Sequence, residues 1–239
     1  MKIMTFNIQH ALDYKKQVID LDLFANAITR FGADVCGLNE VRGEGDLDGY
    51  TDQTNALGDR LGFERYFARA IMVRGKGPYG NALVSRFPIV SAETISIPDP
   101  EVKREGGRYE SRCVLKVTLD IDDRELCVLV CHMGLVDDEA KNAVSTICSI
   151  LDATDTPLVL MGDFNVTPEN EILAPIFERL SDSDAIAKIA GEPTFPSDAP
   201  RIKIDYLFYR GLECRSVKTI GEVVSDHLPI IAEFDFLEK

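Results

Sequence analysis

The stretch Leu158-Val159-Leu160-Met161-Gly162-Asp163-Phe164-Asn165 runs an apolar segment straight into polar chemistry. Four consecutive apolar residues predict a buried strand. Gly162 allows close backbone packing. Asp163 and Asn165 are two apart, so in extended backbone they project to the same side. A carboxylate that can activate water and an amide that can touch a phosphoryl oxygen then address one point. Five further motifs repeat this arrangement: Asn7 in T-F-N-I, Glu40 in L-N-E-V, His132 in V-C-H-M, Asp205 in I-D-Y-L-F, and Asp226 with His227 in S-D-H-L-P. Strand ends are rigid platforms, and function gathers in the loops just beyond them.

Outward from these motifs the chain mixes hairpins with strand–helix crossovers. Residues 2–8 alternate as a strand does. Val18, Ile19, Leu23, Ala27 and Ile28 fall on one helical face that Gly32 closes. Val35–Leu38 predicts a short strand ending at Glu40, and Thr51–Leu61 a short helix ending at Gly62. Strands are expected at 63–73 and 81–85. Arg112–Leu119 and Glu125–Cys131, joined by an Asp-rich turn, predict an antiparallel hairpin. Asp137 is placed as the cap of a helix with Ala140, Val144, Ile147 and Leu151 on its inner face. A further helix is expected over Ile172–Leu180, and strands at 204–209, 216–220 and 230–235. Loops fall at 42–50, 74–78, 96–107 and 191–201. This pattern predicts a four-layer α/β sandwich, two packed and mainly antiparallel sheets flanked by helices. One domain is expected over 1–239, with no internal repeat.

The 239 residues are 45% hydrophobic, enough for a substantial core. No apolar run approaches the ~18 residues of a membrane span, and the N-terminus reads as a strand rather than a signal peptide. Cys36, Cys113, Cys127, Cys131, Cys148 and Cys214 include no C-x-x-C pair. They are read as free thiols in a reducing compartment, hence a cytoplasmic protein. A monomer is expected. The net charge of −14 argues against a protein that grips nucleic acid through a basic face. Lys103, Arg104, Arg108 and Arg112 nonetheless form a local basic cluster, a candidate phosphate clamp.

Hydrolysis of a phosphate ester requires a hard cation, a water, a group to polarise it and charge stabilisation at the phosphoryl oxygens. Glu40 is the expected Mg²⁺ ligand, Asn7 offers an amide oxygen beside it, and Asp226 could touch the metal or its waters. Two of the three histidines, His132 and His227, lie in these motifs, as acid–base equipment would. Asp205 sits inside an apolar strand and needs a partner, which we assign as His227. His10 is expected in an exposed loop. Strand alternation turns Cys131 to the core if His132 faces the site, which disfavours a thiol nucleophile. Neither a G-x-S-x-G elbow nor a P-loop occurs.

In this order the motifs resemble the endonuclease/exonuclease/phosphatase superfamily, which includes deoxyribonuclease I, apurinic endonucleases, inositol-polyphosphate phosphatases and neutral sphingomyelinases. The resemblance runs from Thr5-Phe6-Asn7 to Ser225-Asp226-His227. It includes Tyr79-Gly80-Asn81-Ala82-Leu83-Val84-Ser85-Arg86-Phe87-Pro88 and Pro193-Thr194-Phe195-Pro196-Ser197. It implies a deoxyribonuclease I-like sandwich with the site at one end of the sheets, and Mg²⁺ dependence with Mn²⁺ as substitute. Glu40 would hold the metal with Asn7 near it. Asp163 would polarise water and Asn165 bind the phosphoryl group. His132 would bind phosphate or donate a proton, and His227, oriented by Asp205, would complete the clamp or act as base. Asn81 and Arg112 are taken as substrate contacts. His132 favours the deoxyribonuclease I and sphingomyelinase branches, because apurinic endonucleases carry tyrosine there.

The expected function is a phosphoesterase acting on a small or lipid-derived phosphodiester or phosphomonoester. A nuclease is the alternative, with nucleic acid the less favoured substrate, and a non-catalytic scaffold on this fold is the alternative of another class. The loops at 42–50, 74–80, 98–110 and 191–203 are the candidates for specificity.

Overall fold

A computed structural model describes residues 1–185 and 191–238. In chain order the strands and helices are β1 (Lys2–Asn7), β2 (Leu12–Asp13), β3 (Val18–Ile19), α1 (Leu21–Phe31), β4 (Val35–Arg42), α2 (Gln53–Leu61), β5 (Glu64–Val73), β6 (Gly77–Ser85) and β7 (Ile89–Ser96). There follow β8 (Cys113–Asp120), β9 (Glu125–His132), α3 (Asp137–Asp152), β10 (Leu158–Asp163), α4 (Ala174–Phe177), β11 (Ser181–Asp182), β12 (Asp205–Arg210), β13 (Leu212–Thr219) and β14 (Ile230–Phe236).

Two six-stranded sheets result, ordered β13-β14-β1-β4-β6-β5 and β11-β12-β10-β9-β8-β7. Each is antiparallel except for one central parallel pair, β1/β4 and β9/β10. A parallel pair needs a crossover, and α1 and α3 supply it. The two sheets thus share one pairing pattern that the sequence does not betray as a repeat.

Alternation along the strands builds three apolar layers. Ile3, Val35, Leu83, Val128, Val130, Met161, Leu207 and Phe234 pack between the sheets. Their neighbours Met4, Phe6, Cys36 and Leu38 face outward under α1 and α2. Cys131, Leu129 and Leu160 face outward under α3, with Ala140, Val144, Ile147 and Leu151. The sheets approach closely at Gly37, where an added Cβ would lie 2.6 Å from the Met161 side chain.

Several local expectations change. Val18 and Ile19 are not on α1. They form the exposed strand β3, paired with β2, and Asp20 caps the helix by accepting the Leu23 N–H. Val136 occupies the cap position of α3, and Asp137 lies in the first turn with Asp138 and Glu139, where acids suit the helix dipole. Ile172–Leu180 is only a 3₁₀ turn at Glu171–Leu173 followed by the single turn of α4. The strand β7 was not anticipated. It is an edge strand, half exposed along most of its length, so its apolar alternation is weak. All six cysteines are free thiols. No helix among the described residues is long and apolar enough to cross a membrane.

Candidate active site

The polar motifs meet at one end of the paired sheets. The central parallel pairs bring Asn7 level with Asn39 and Asp163 level with His132, while β12 sets Asp205 opposite Asp163. Glu40 sits in an irregularity of β4, where the register with β6 shifts between Leu38 and Val41 and its φ is 59°. Such a bulge re-aims a side chain. Here it carries Glu40 into a cleft of about 570 Å³ shared with Tyr79, Arg112, His132, Asp163 and His227. A larger hollow of about 720 Å³ beside α3 contains none of these groups.

Asp163 lies at the centre. Its Oδ2 accepts from Asn7 Nδ2 at 3.1 Å. The same oxygen lies 3.5 Å from His132 Nε2 and 3.6 Å from His227 Nε2. Its Oδ1 accepts the Asn165 backbone N–H at 2.9 Å. Burial raises the pKa of this carboxyl, and the charge of Asp205 adds to the shift, opposed by His227.

His227 is held from behind. Its Nδ1 is 2.9 Å from Asp205 Oδ2, and that oxygen also accepts from Thr194 Oγ1 at 2.5 Å. The Phe195 ring packs against the imidazole at 4.8 Å between centroids. Burial would lower the His227 pKa, but Asp205, then Asp163 and Asp226, outweigh it and raise it to about 10. His132 moves the other way. Burial, then Arg112 and His227, hold its pKa well below the ordinary value, so it is neutral.

Glu40 is clamped on both oxygens, by Asn7 Nδ2 at 3.1 Å and by the Tyr79 hydroxyl at 2.9 Å. The Asn7 side-chain oxygen accepts the Gln9 N–H. Asn7 therefore turns its NH₂ toward the two carboxylates and clamps Glu40. Asp226 lines the cleft and accepts from Ser225 Oγ at 3.0 Å. Burial raises its pKa.

Asn165 reaches the cleft, but not by strand alternation. It lies beyond the end of β10 with φ at 55°, and its Nδ2 donates to the Met133 carbonyl. Asn81 is not placed as a substrate contact. It is buried, with its oxygen taken by Asn39 and its nitrogen by the Cys113 carbonyl. Arg112 lines the cleft, paired with Glu110 at 3.0 Å, and its buried Nε has no partner. The rest of the basic cluster stays outside. Lys103 pairs with Asp99 and Arg104 with Asp138, and Arg108 is exposed. His10 is half-buried rather than exposed, its Nδ1 3.3 Å from the Tyr79 hydroxyl.

Five supporting residues escaped the sequence reading: Asn39, Tyr79, Thr194, Phe195 and Lys203. Asn39 lay inside the L-N-E-V motif, and Tyr79, Thr194 and Phe195 inside the two intermediate stretches, so their signal was proximity alone. Lys203 is buried, bonded to Asp184 at 2.6 Å and to the Asp205 carbonyl at 3.2 Å. Nothing in its local sequence announces a buried cation.

Donor chemistry fits a hard divalent cation. Glu40, Asp163 and Asp226 line the cleft against the cationic His227, with Asp205 buried behind that ring, while Arg112 is already balanced by Glu110. A phosphate anion entering this field needs a further positive charge. Asp163, Asp205 and His227 also place one donor atom each within 4.8 Å of one another. Both ring nitrogens of His227 already face carboxylates there, so we regard that trio as a proton-holding ion triad. Glu40 and Asp226 add two carboxylates to the cleft lining.

Known proteins share this frame. The "Uncharacterized protein YbhP" of Escherichia coli (strain K12) is 21% identical over 247 residues, covering 97% of this chain and 95% of its own. A solved endonuclease/exonuclease/phosphatase family protein from Leptotrichia buccalis superposes with a TM-score of 0.79 at 23% identity, over 99% of this chain and 100% of that one. The mannosyl-6-phosphatase Bt3783 of Bacteroides thetaiotaomicron has a TM-score of 0.78 at 16% identity, over 99% and 100%. Residues 4–227 match the Endonuclease/Exonuclease/phosphatase family, and the chain belongs to that family.

Proposed function

We propose that this protein is a Mg²⁺-dependent phosphoesterase that hydrolyses a small or lipid-derived phosphodiester or phosphomonoester by attack of water. Its family acts on phosphoesters and is generally dependent on divalent metals. The observation that carries the reading is the convergence of Asn7, His132 and His227 on one oxygen of Asp163, with Asp205 behind His227.

Each group then has a role that its surroundings support. Asp163, with its raised pKa, can accept a proton from water near neutral pH. His227, kept protonated by Asp205, presents a positive charge to a phosphoryl oxygen. Neutral His132 and the Asn165 side chain contact the remaining oxygens. Arg112 adds its guanidinium charge from the wall, beside Glu110. Glu40 and Asp226 would hold Mg²⁺, or Mn²⁺ in its place, with Asn7 and Tyr79 fixing Glu40. The bound ion would supply Lewis-acid polarisation and offset the carboxylate charge. The free thiols support a cytoplasmic location.

The test is hydrolysis of a bis-aryl phosphodiester, a mono-aryl phosphate and supercoiled plasmid with Mg²⁺ present. Turnover of a small ester without plasmid nicking is expected. Nicking would make the protein a nuclease instead, and inactivity on all three with no Mg²⁺ binding would point to a scaffold.

A further inference from the structure

The cleft is lined by apolar side chains as well as by polar ones. From the first sheet come Glu40 and Tyr79. Flanking the end of β10 stand Leu135, Phe195, Ile202 and Ile204. Their backbones tie them to that strand end. Met133, two residues before Leu135, donates its N–H to the Asp163 carbonyl. Phe164 donates to the Ile204 carbonyl, and Phe195 and Ile202 exchange hydrogen bonds across a bridge. Leu135 and Ile202 remain 58% and 40% exposed. A lone exposed aliphatic means little. Two in one cleft, beside Phe195 and next to the phosphate-directed groups, make an apolar surface that a ligand can cover.

We infer that Leu135, Phe195, Ile202 and Ile204 form a subsite for the hydrocarbon moiety of the phosphate ester, so that the substrate is the ester of an apolar alcohol. This rests on the phosphoesterase reading above. A sugar or polyol ester would turn hydroxyls toward Leu135 and Ile202 and lose their hydrogen bonds to water without replacement. A polynucleotide would want cations along its backbone, whereas Arg112 is paired with Glu110, and Lys103 and Arg104 with acids outside the cleft. Aliphatic contacts suit an alkyl chain, whether carried by a soluble ester or by a lipid.

The experiment is calorimetric binding of methyl-, butyl- and octylphosphonate in the presence of Mg²⁺, which needs no turnover. A fully buried methylene is worth roughly fourfold in affinity, so a half-open wall should give roughly eightfold from methyl to butyl. Leu135→Gln and Ile202→Gln, singly and together, should flatten that gain, and both positions are exposed enough for the fold to tolerate them. A flat series in the wild-type protein would overturn the subsite while leaving the phosphoesterase reading intact. Failure to bind any phosphonate would remove both. An undiminished gain in the double variant would overturn the assignment to these residues. A short-chain lipid phosphate, offered as monomer and on vesicles, then separates a soluble ester from a membrane-borne one, and binding of either sustains the inference.

Discussion

The side-chain oxygen of Asn39 accepts the backbone N–H of Asp163 at 3.0 Å, across the gap between the two sheets. The same amide donates to Asn81 Oδ1 at 2.9 Å and to the Cys131 carbonyl at 3.1 Å. Asn81 continues to the Cys113 carbonyl on β8. A buried polar network therefore staples the sheets directly beneath the site, and it holds Asp163 by its backbone.

Asn39→Ala should unfasten this staple. It strands a buried N–H and a carbonyl of the second sheet, and each such orphan costs about 1–3 kcal/mol. We expect a stability loss on the order of 2–4 kcal/mol, read as a lower urea midpoint with an unchanged slope. A wild-type midpoint would show that the network contributes nothing net.

Asp205→Asn should disarm His227. The carboxylate is the largest influence raising the imidazole pKa against burial. Without its charge the value should fall from about 10 toward or below the ordinary range. The ring would then be neutral at pH 7, and kcat should drop by roughly 10²-fold or more. Imidazole NMR titration checks the first effect and steady-state kinetics the second. An unshifted titration with normal turnover would remove Asp205 from the mechanism.

Chelation by EDTA should abolish activity, and Mg²⁺ or Mn²⁺ should restore it. Tyr79→Phe removes one of the two hydrogen bonds fixing Glu40. Lost supporting bonds of this kind weaken metal affinity by roughly 10–100-fold, which Mg²⁺ titration calorimetry would register apart from turnover. Full activity in chelator would sink the metal assignment, and unchanged affinity would free Tyr79 of this role.

The sequence disclosed those parts of the site that obey simple periodicity. Asp205 was legible because a carboxylate in Ile204-Asp205-Tyr206 demands a partner, and His227 stands 2.9 Å away. Glu40 and His132 were legible as polar ends of apolar strands. What it hid depends on departures from regular backbone. Asn165 aims through a left-handed turn, and Glu40 through a bulge. Asn7 faces its carboxylates with nitrogen because the Gln9 N–H, two residues on, claims its oxygen. In the fold, Val18 and Ile19 matched a helical period yet pair as β3, since Asp20 supplies the cap that starts α1 after them. Asn81 was drawn toward substrate by its motif and is consumed by the sheet staple instead.

Cys131→Ser should remain active. The thiol neighbours His132 but faces the apolar layer under α3, and burial raises its pKa far from the thiolate range. A hydroxyl there costs packing and desolvation rather than chemistry, so kcat should stay within about twofold while stability falls by about 1–3 kcal/mol. A folded but inactive variant would restore the thiol to the mechanism.

His132 should make the fold sensitive to acid. Its folded pKa is depressed by burial, then by Arg112 and His227. In the unfolded chain it returns to about 6.5. Above that pH both states hold it neutral, and its contribution is fully present. As pH falls below it, the unfolded chain binds a proton that the folded chain refuses, so stability declines, with a limiting slope of about 1.4 kcal/mol per pH unit for one proton. His132→Asn removes that proton uptake. Urea unfolding between about pH 7.5 and about pH 5 should therefore show a steeper decline for wild type than for the variant. Parallel curves would mean that His132 titrates normally in the folded protein, and that the neutral role assigned to it beside Asp163 is wrong.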